Sequence, residues 1–153
     1  MTKILMVCLG NICRSPLAEG ILRSKLPASE FLVDSSGTAS YHIGNAPDRR
    51  SVKVAKKYGL DISNLKGRQF SVADFDIFDH IFAMDETNFY NIIALARHNA
   101  DQDKVKLILN EIYPDQNYSV PDPYYGGKEG FENVYKMLDE ACSIIADRLT
   151  MKS

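Results

Sequence analysis

Apolar and polar positions fall into alternating blocks along this chain, short apolar runs giving way to stretches of helical period. Ile4 to Val7 is an unbroken apolar run within Lys3–Cys8, which suits a strand buried on both faces. Leu17, Ala18, Ile21 and Leu22 then recur at helical spacing, so a helix is expected over Pro16–Leu26, stopped by Pro27. Phe31–Val33 reads as a second strand that ends in Asp34-Ser35-Ser36-Gly37. A second helix is expected from Pro47-Asp48 to Tyr58, with Val52, Ala55 and Tyr58 on one face and Gly59 as its stop. Asp61–Phe70 reads as loop and Val72–Phe75 as a short helical turn. His80–Met84 is a third strand, and Asp85 caps a helix whose apolar face is Phe89, Ile92, Ile93 and Ala96. Val105–Leu109 is a fourth strand. The Pro-, Gly- and Asn-rich run after it reads as a long irregular loop, of a length often tied to function. A last helix from about Lys128 to Leu149 carries the stripe Phe131, Val134, Leu138, Ala141, Ile145 and Leu149.

Strands separated by helices imply right-handed crossovers, hence an α/β fold: an open parallel sheet with helices on both faces. Ligands of such sheets bind beyond the carboxyl ends of the strands. Three stretches fall at such ends: the loop after Cys8, Asp34-Ser35, and Met84-Asp85.

The first of these carries chemistry. Cys8 opens a loop holding Gly10 and Asn11, and Arg14-Ser15-Pro16 follows. Strand, short loop and helix start together aim backbone N–H groups at an anion. Arginine offers a planar fork for two phosphate oxygens. A thiol beneath a bound phosphorus can attack opposite the leaving group. The same N–H groups and helix dipole favour thiolate over thiol. Ser15 can donate to the sulfur and cap the helix that Pro16 opens. Gly10 permits positive φ and Asn11 tolerates it, so the loop can curl around a small anion.

Composition narrows the setting. With 153 residues, 45% hydrophobic and 25% charged, the chain is expected to form one domain. A net charge of −2 gives no global field for nucleic acid or anionic membrane, so anion binding must be local. No run is long enough to span a membrane, and the N-terminus is no convincing signal peptide. Cys8, Cys13 and Cys142 suit neither a disulfide framework nor a zinc cluster. A reducing, cytoplasmic setting follows as the expectation.

The run Cys8-Leu9-Gly10-Asn11-Ile12-Cys13-Arg14-Ser15-Pro16 resembles the nucleophile loop of the low-molecular-weight protein tyrosine phosphatases. The resemblance implies four parallel strands in order 2-1-3-4, with the phosphate-binding loop after strand 1. It implies Cys8 as nucleophile and Arg14 as phosphate ligand. A phenol leaving group also calls for a general acid. Asp122 stands between Pro121 and Pro123, which stiffen the backbone around it, and Tyr124 and Tyr125 follow. This DPYY run resembles the family's acid loop and implies Asp122 as acid, then base. Leu9, Gly10, Asn11, Ile12, Cys13 and Ser15 are then the phosphate loop, and Leu9, Ile12, Tyr41, Tyr124 and Tyr125 the pocket walls. Neutralisation by arginine and backbone needs neither metal nor cofactor.

In the resemblance Asn11 and Ser35 share a supporting network with a histidine some thirty residues beyond Ser35. Here Leu65 stands at that place, so the network is expected to be abbreviated or rebuilt. Asp85 and Asn88 also follow the family pattern. Cys13, close to Cys8 in a curled loop, is a candidate partner for an oxidised Cys8, and Cys142 reads as inert core. The implied partners are phosphotyrosine proteins or peptides, an autophosphorylating tyrosine kinase and a secreted-effector target both being open, with a monomer or weak self-association through exposed tyrosines. Three other readings compete. Relatives acting on phosphoarginine tend to carry threonine where Ile12 stands, and an isoleucine favours an aromatic ring. An arsenate reductase would need further cysteines between Cys13 and Cys142. A non-catalytic phosphoresidue-binding module would not need both Cys8 and Asp122.

Overall fold

The computed structural model describes residues 1–151. Its elements, in chain order, are β1 Thr2–Cys8, α1 Arg14–Lys25, β2 Phe31–Gly37, α2 Arg49–Lys57, α3 Asp74–Ile77 and β3 His80–Ala83. After these come α4 Glu86–Ile93, α5 Asn99–Asp103, β4 Val105–Leu107 and α6 Gly130–Thr150. The four strands are all parallel, in the order β2-β1-β3-β4. Among the described residues no helix is long and apolar enough to cross a membrane.

The apolar run of β1 is buried on both sides because side chains alternate across a strand. Ile4, Met6 and Cys8 face a core built with α1, α2 and α6, where the α6 stripe lies entirely buried. Leu5 and Val7 face the other way, toward Phe70, Phe75, Phe78 and Ile92. The expected three layers are therefore present, with β1 at the centre.

The differences from the sequence reading are local. Helix α1 starts at Arg14, two residues before Pro16. Ser15 is thus inside the first turn and is not its cap. Pro16 is tolerated there because first-turn N–H groups have no helical partner to lose. Strand β2 runs on through Gly37, because Asp34, Ser35 and Ser36 pair with Leu5, Met6 and Val7. Strand β4 stops at Leu107, where the chain tightens into a 3-10 turn over Ile108–Glu111. Two further 3-10 turns, Pro123–Tyr125 and Gly127–Glu129, give order to the segment expected to be irregular. Helix α5 was not foreseen. It is short and polar and lacks an apolar stripe, and the backbone and guanidinium of Arg97 hold it through buried Asp101.

The strand ends then set up the loop after β1. Gly37 is pressed so closely on it that an added Cβ would lie 2.7 Å from the Leu9 carbonyl oxygen and 3.1 Å from the Asn11 nitrogen. Gly37→Ala should therefore cost about 1–3 kcal/mol, typical of overpacking against groups that cannot yield. The check is the denaturant midpoint.

Candidate active site

The loop joining β1 to α1 is held from outside by its carbonyls. Cys8 O accepts from Thr38 N at 2.9 Å, Leu9 O from Ala39 N at 2.9 Å, and Ile12 O from Asp48 N at 2.8 Å. In a planar trans peptide the C=O and the next N–H point in opposite directions. The N–H groups of Leu9, Gly10 and Cys13 are therefore turned away from those outer partners.

Asn11 fixes the curl. It is buried and sits at φ 58°, a left-handed conformation that asparagine tolerates better than most residues. Its Nδ2 donates to Ser15 Oγ at 2.8 Å and to Ser35 Oγ at 3.0 Å, and its Oδ1 accepts from Arg68 N at 3.0 Å. Its backbone N–H donates to the Cys8 sulfur at 3.2 Å. Ser15 Oγ lies 3.0 Å from the same sulfur and 3.3 Å from Ser36 O. Ser15 already accepts from Asn11, so its one proton goes either to sulfur or to that carbonyl.

The network continues where the sequence pointed to a missing histidine. Ser35 Oγ donates to Glu19 Oε1 at 2.6 Å, and Glu19 also pairs with Arg23. Burial pushes the Glu19 carboxyl up, while the bonds from Ser35 and Arg23 pull it back down, leaving it raised. The network is thus rebuilt with Glu19 and the Arg68 backbone, while Leu65 packs against the core. Glu19 was legible only as a polar residue on an otherwise apolar helix face.

Arg14 is buried and aimed by two acceptors on one nitrogen. Its Nη1 donates to Asp85 Oδ2 at 2.8 Å and to Val120 O at 2.9 Å. Asp85 serves two purposes at once. Its other oxygen accepts from Asn88 N at 2.7 Å, closing a capping box at α4, so one carboxylate both caps the helix and holds the arginine.

These parts surround a small cleft of ≈ 100 Å³. The loop lines it with Cys8, Leu9, Gly10, Ile12, Cys13 and Arg14. Two other segments complete the lining, Tyr41 and His42 from one and Asp122, Pro123 and Tyr124 from the other. Asn11 and Ser15 lie behind this surface and shape it without lining it. Tyr125, expected as a wall, is 89% exposed and is not among the lining residues. The 3-10 turn explains this, because successive side chains in it diverge by about 120°. His42 was missed. It lies in a polar loop with no periodicity to mark it.

Asp122 is exposed and caps the 3-10 turn, its Oδ1 accepting from Tyr124 N at 3.0 Å. The Tyr124 hydroxyl accepts from Cys13 Sγ at 3.2 Å and donates to Asp48 Oδ2 at 3.0 Å. Burial pushes the Cys13 thiol up to about 11, only partly offset by its bond to Tyr124. Tyr124 is likewise raised, by burial first and then by Cys13. Burial works against ionised Asp48, but hydrogen bonds from Arg50 and Tyr124 outweigh it and hold its carboxyl below the usual range. All three cysteines are free, and burial pushes the thiol of Cys142 far up. Among the described residues no group of three or more His, Cys, Asp and Glu side chains is gathered as metal ligands would be.

The chain matches the family model described as low molecular weight phosphotyrosine protein phosphatase over residues 3–153. It is 43% identical to the low molecular weight phosphotyrosine protein phosphatase of Schizosaccharomyces pombe, over 90% of this chain and 92% of the yeast protein. Its fold matches a crystal structure of a protein tyrosine phosphatase from Entamoeba histolytica with Hepes in the active site. There the TM-score is 0.90 and the identity 37%, covering 97% of each chain. A Drosophila arginine phosphatase is also similar, with a TM-score of 0.88 and 32% identity over 99% of this chain and all of that one. The loop that binds its own curl through Asn11 thus sits in a known setting: the chain belongs to the low molecular weight phosphotyrosine protein phosphatase family.

Proposed function

We propose that the chain is one catalytic domain that hydrolyses phosphotyrosine in proteins through a phosphocysteine intermediate. The observation that carries this reading is Cys8 in the cleft lining, its sulfur with Asn11 N–H at 3.2 Å and Ser15 Oγ at 3.0 Å. Both groups stabilise negative charge on sulfur, which is the form that attacks phosphorus. Arg14 and the inward amides bind the phosphoryl oxygens and hold best when charge spreads over them in the transition state. Asp122 protonates the departing phenol and, once ionised, activates the water that cleaves the S–P bond. When phosphate moves to Cys8 the sulfur is neutralised, and the Ser15 proton is free to return to Ser36 O. The walls supplied by Leu9, Ile12, Tyr41 and Tyr124 suit a flat aromatic ring.

A second substrate, phosphoarginine, is favoured by the likeness to the Drosophila arginine phosphatase. Ile12 on the cleft wall argues against it, since an alkyl side chain gives a guanidinium no hydrogen bond. Phosphotyrosine and phosphoarginine peptides compared at equal concentration decide this, and phosphotyrosine should be turned over faster. Faster phosphoarginine turnover would reverse the assignment.

Cys8→Ser should lower aryl phosphate turnover by about 10³-fold or more, as expected where one nucleophile carries the covalent step. Acid quench of wild type during turnover should find phosphorus on Cys8. Asp122→Asn should slow phosphotyrosine by about 10²–10⁴-fold, the usual range for a lost general acid. An aryl phosphate whose phenol is already acidic should suffer much less. Leaving-group dependence measured for both proteins checks this, and equal losses on the two substrates would take Asp122 out of the acid role.

A further inference from the structure

A second, larger groove of ≈ 890 Å³ lies against the cleft, with Pro123 and Tyr124 as common wall. It runs between α2 and the start of α6. Arg50, Lys53 and Lys57 enter it from α2 and Lys136 from α6, and the acidic residues among its described lining are Glu129 and Glu132. The chain as a whole carries a net charge of −2, so this is a local excess of positive charge. The cations differ in how they are held. Arg50 pairs with Asp48 and stacks 4.7 Å over the rings of both Tyr124 and Phe131. Lys57 pairs with Glu132. Lys53 and Lys136 are exposed and, among the described residues, neither is held in an ion pair.

We propose that this groove receives acidic side chains flanking the phosphotyrosine of a protein substrate. The proposal rests on the phosphatase reading of the cleft and names the class of substrate. The geometry supports it in two ways. A residue bound with its ring against Tyr124 has its neighbouring residues at the mouth of the groove, because an extended chain advances only about 3.3 Å per residue. The fixed half of the groove, Arg50 over Phe131, offers a flat surface along which a backbone can lie, while the ammonium groups of Lys53 and of Lys136, the latter under the longer-range pull of Glu132, remain available for carboxylates. Exposed charges of this kind act mainly on encounter and are screened by salt.

The test uses a phosphotyrosine peptide with three glutamates on each side, its glutamine counterpart, and a small aryl phosphate. Wild type should show a kcat/KM about three- to tenfold higher for the glutamate peptide, as expected of two exposed pairs. The gap should shrink at high salt. In the double variant Lys53→Glu, Lys136→Glu the gap should vanish or invert, with aryl phosphate turnover unchanged, and Lys53→Gln, Lys136→Gln should fall between. No gap in wild type, or a gap that survives charge reversal, overturns the proposal. Should wild type hydrolyse none of the three, the phosphatase reading itself has failed. The groove is then judged by binding of both peptides to Cys8→Ser, with and without the lysine reversals. A glutamate preference abolished by reversal upholds the groove, and equal affinities end it.

Discussion

One buried asparagine holds the site in shape. Asn11 adopts a left-handed conformation that costs most residues roughly 1–2 kcal/mol, and every polar group of its side chain is used to keep it there. The bonds reach three separate elements: Ser15 on α1, Ser35 on β2 and the backbone of Arg68 before α3. The same residue turns its own N–H onto the Cys8 sulfur. Chain curl and stabilisation of the proposed nucleophile are therefore a single structural event. An alanine at this position would lose the shape and the network together, leaving Ser15 and Ser35 to find other donors.

The second constraint acts through the carbonyls. The backbone N–H groups of Thr38, Ala39 and Asp48 donate to the Cys8, Leu9 and Ile12 oxygens, holding the loop as if it were an extra edge of the sheet. That leaves amide hydrogens for the interior. An anion site made this way depends on the end of β2 and on the segment before α2 as much as on the motif itself. The tight fit of Gly37 under Leu9 and Asn11 is the steric expression of the same arrangement.

What could be read in the sequence follows from where the information is local. The β1 run, the α1 and α6 stripes and the Cys8–Arg14 loop each encode their structure within a few residues, and these are the parts whose form was anticipated. Helix α1 beginning at Arg14 and not at Pro16 was not, because loop carbonyls fastened by distant partners decide where the helix starts. The roles of Glu19, the Arg68 backbone and His42 were not legible either. Each matters only through a partner brought near by the fold, Ser35, Asn11 and the cleft respectively. The displaced Tyr125 belongs to the same class, since the sequence Asp122-Pro123-Tyr124-Tyr125 does not by itself say that a 3-10 turn separates the two rings.

The relation between the proposed nucleophile loop after β1 and the proposed acid loop around Asp122 has a common origin in the sheet. Val120 N donates to Met84 O at the end of β3, while Val120 O accepts from Arg14. Ser119 Oγ accepts from Glu86 N at the start of α4. Farther along, the Tyr124 hydroxyl sits between Cys13 of the nucleophile loop and Asp48 beside it. The acid loop is thus tied on both sides of Asp122, and each tie ends on a residue that also positions the nucleophile loop or adjoins one that does. Asp122 itself is exposed, yet its backbone is not free to wander: proline on either side limits it and these ties bound it. A general acid must reach an atom whose place is set by the nucleophile and the phosphate ligands. Fastening both loops to the carboxyl ends of β1 and β3 gives that distance a rigid reference, and it explains why Arg14, which binds one and holds the other, is buried so deeply for a charged residue.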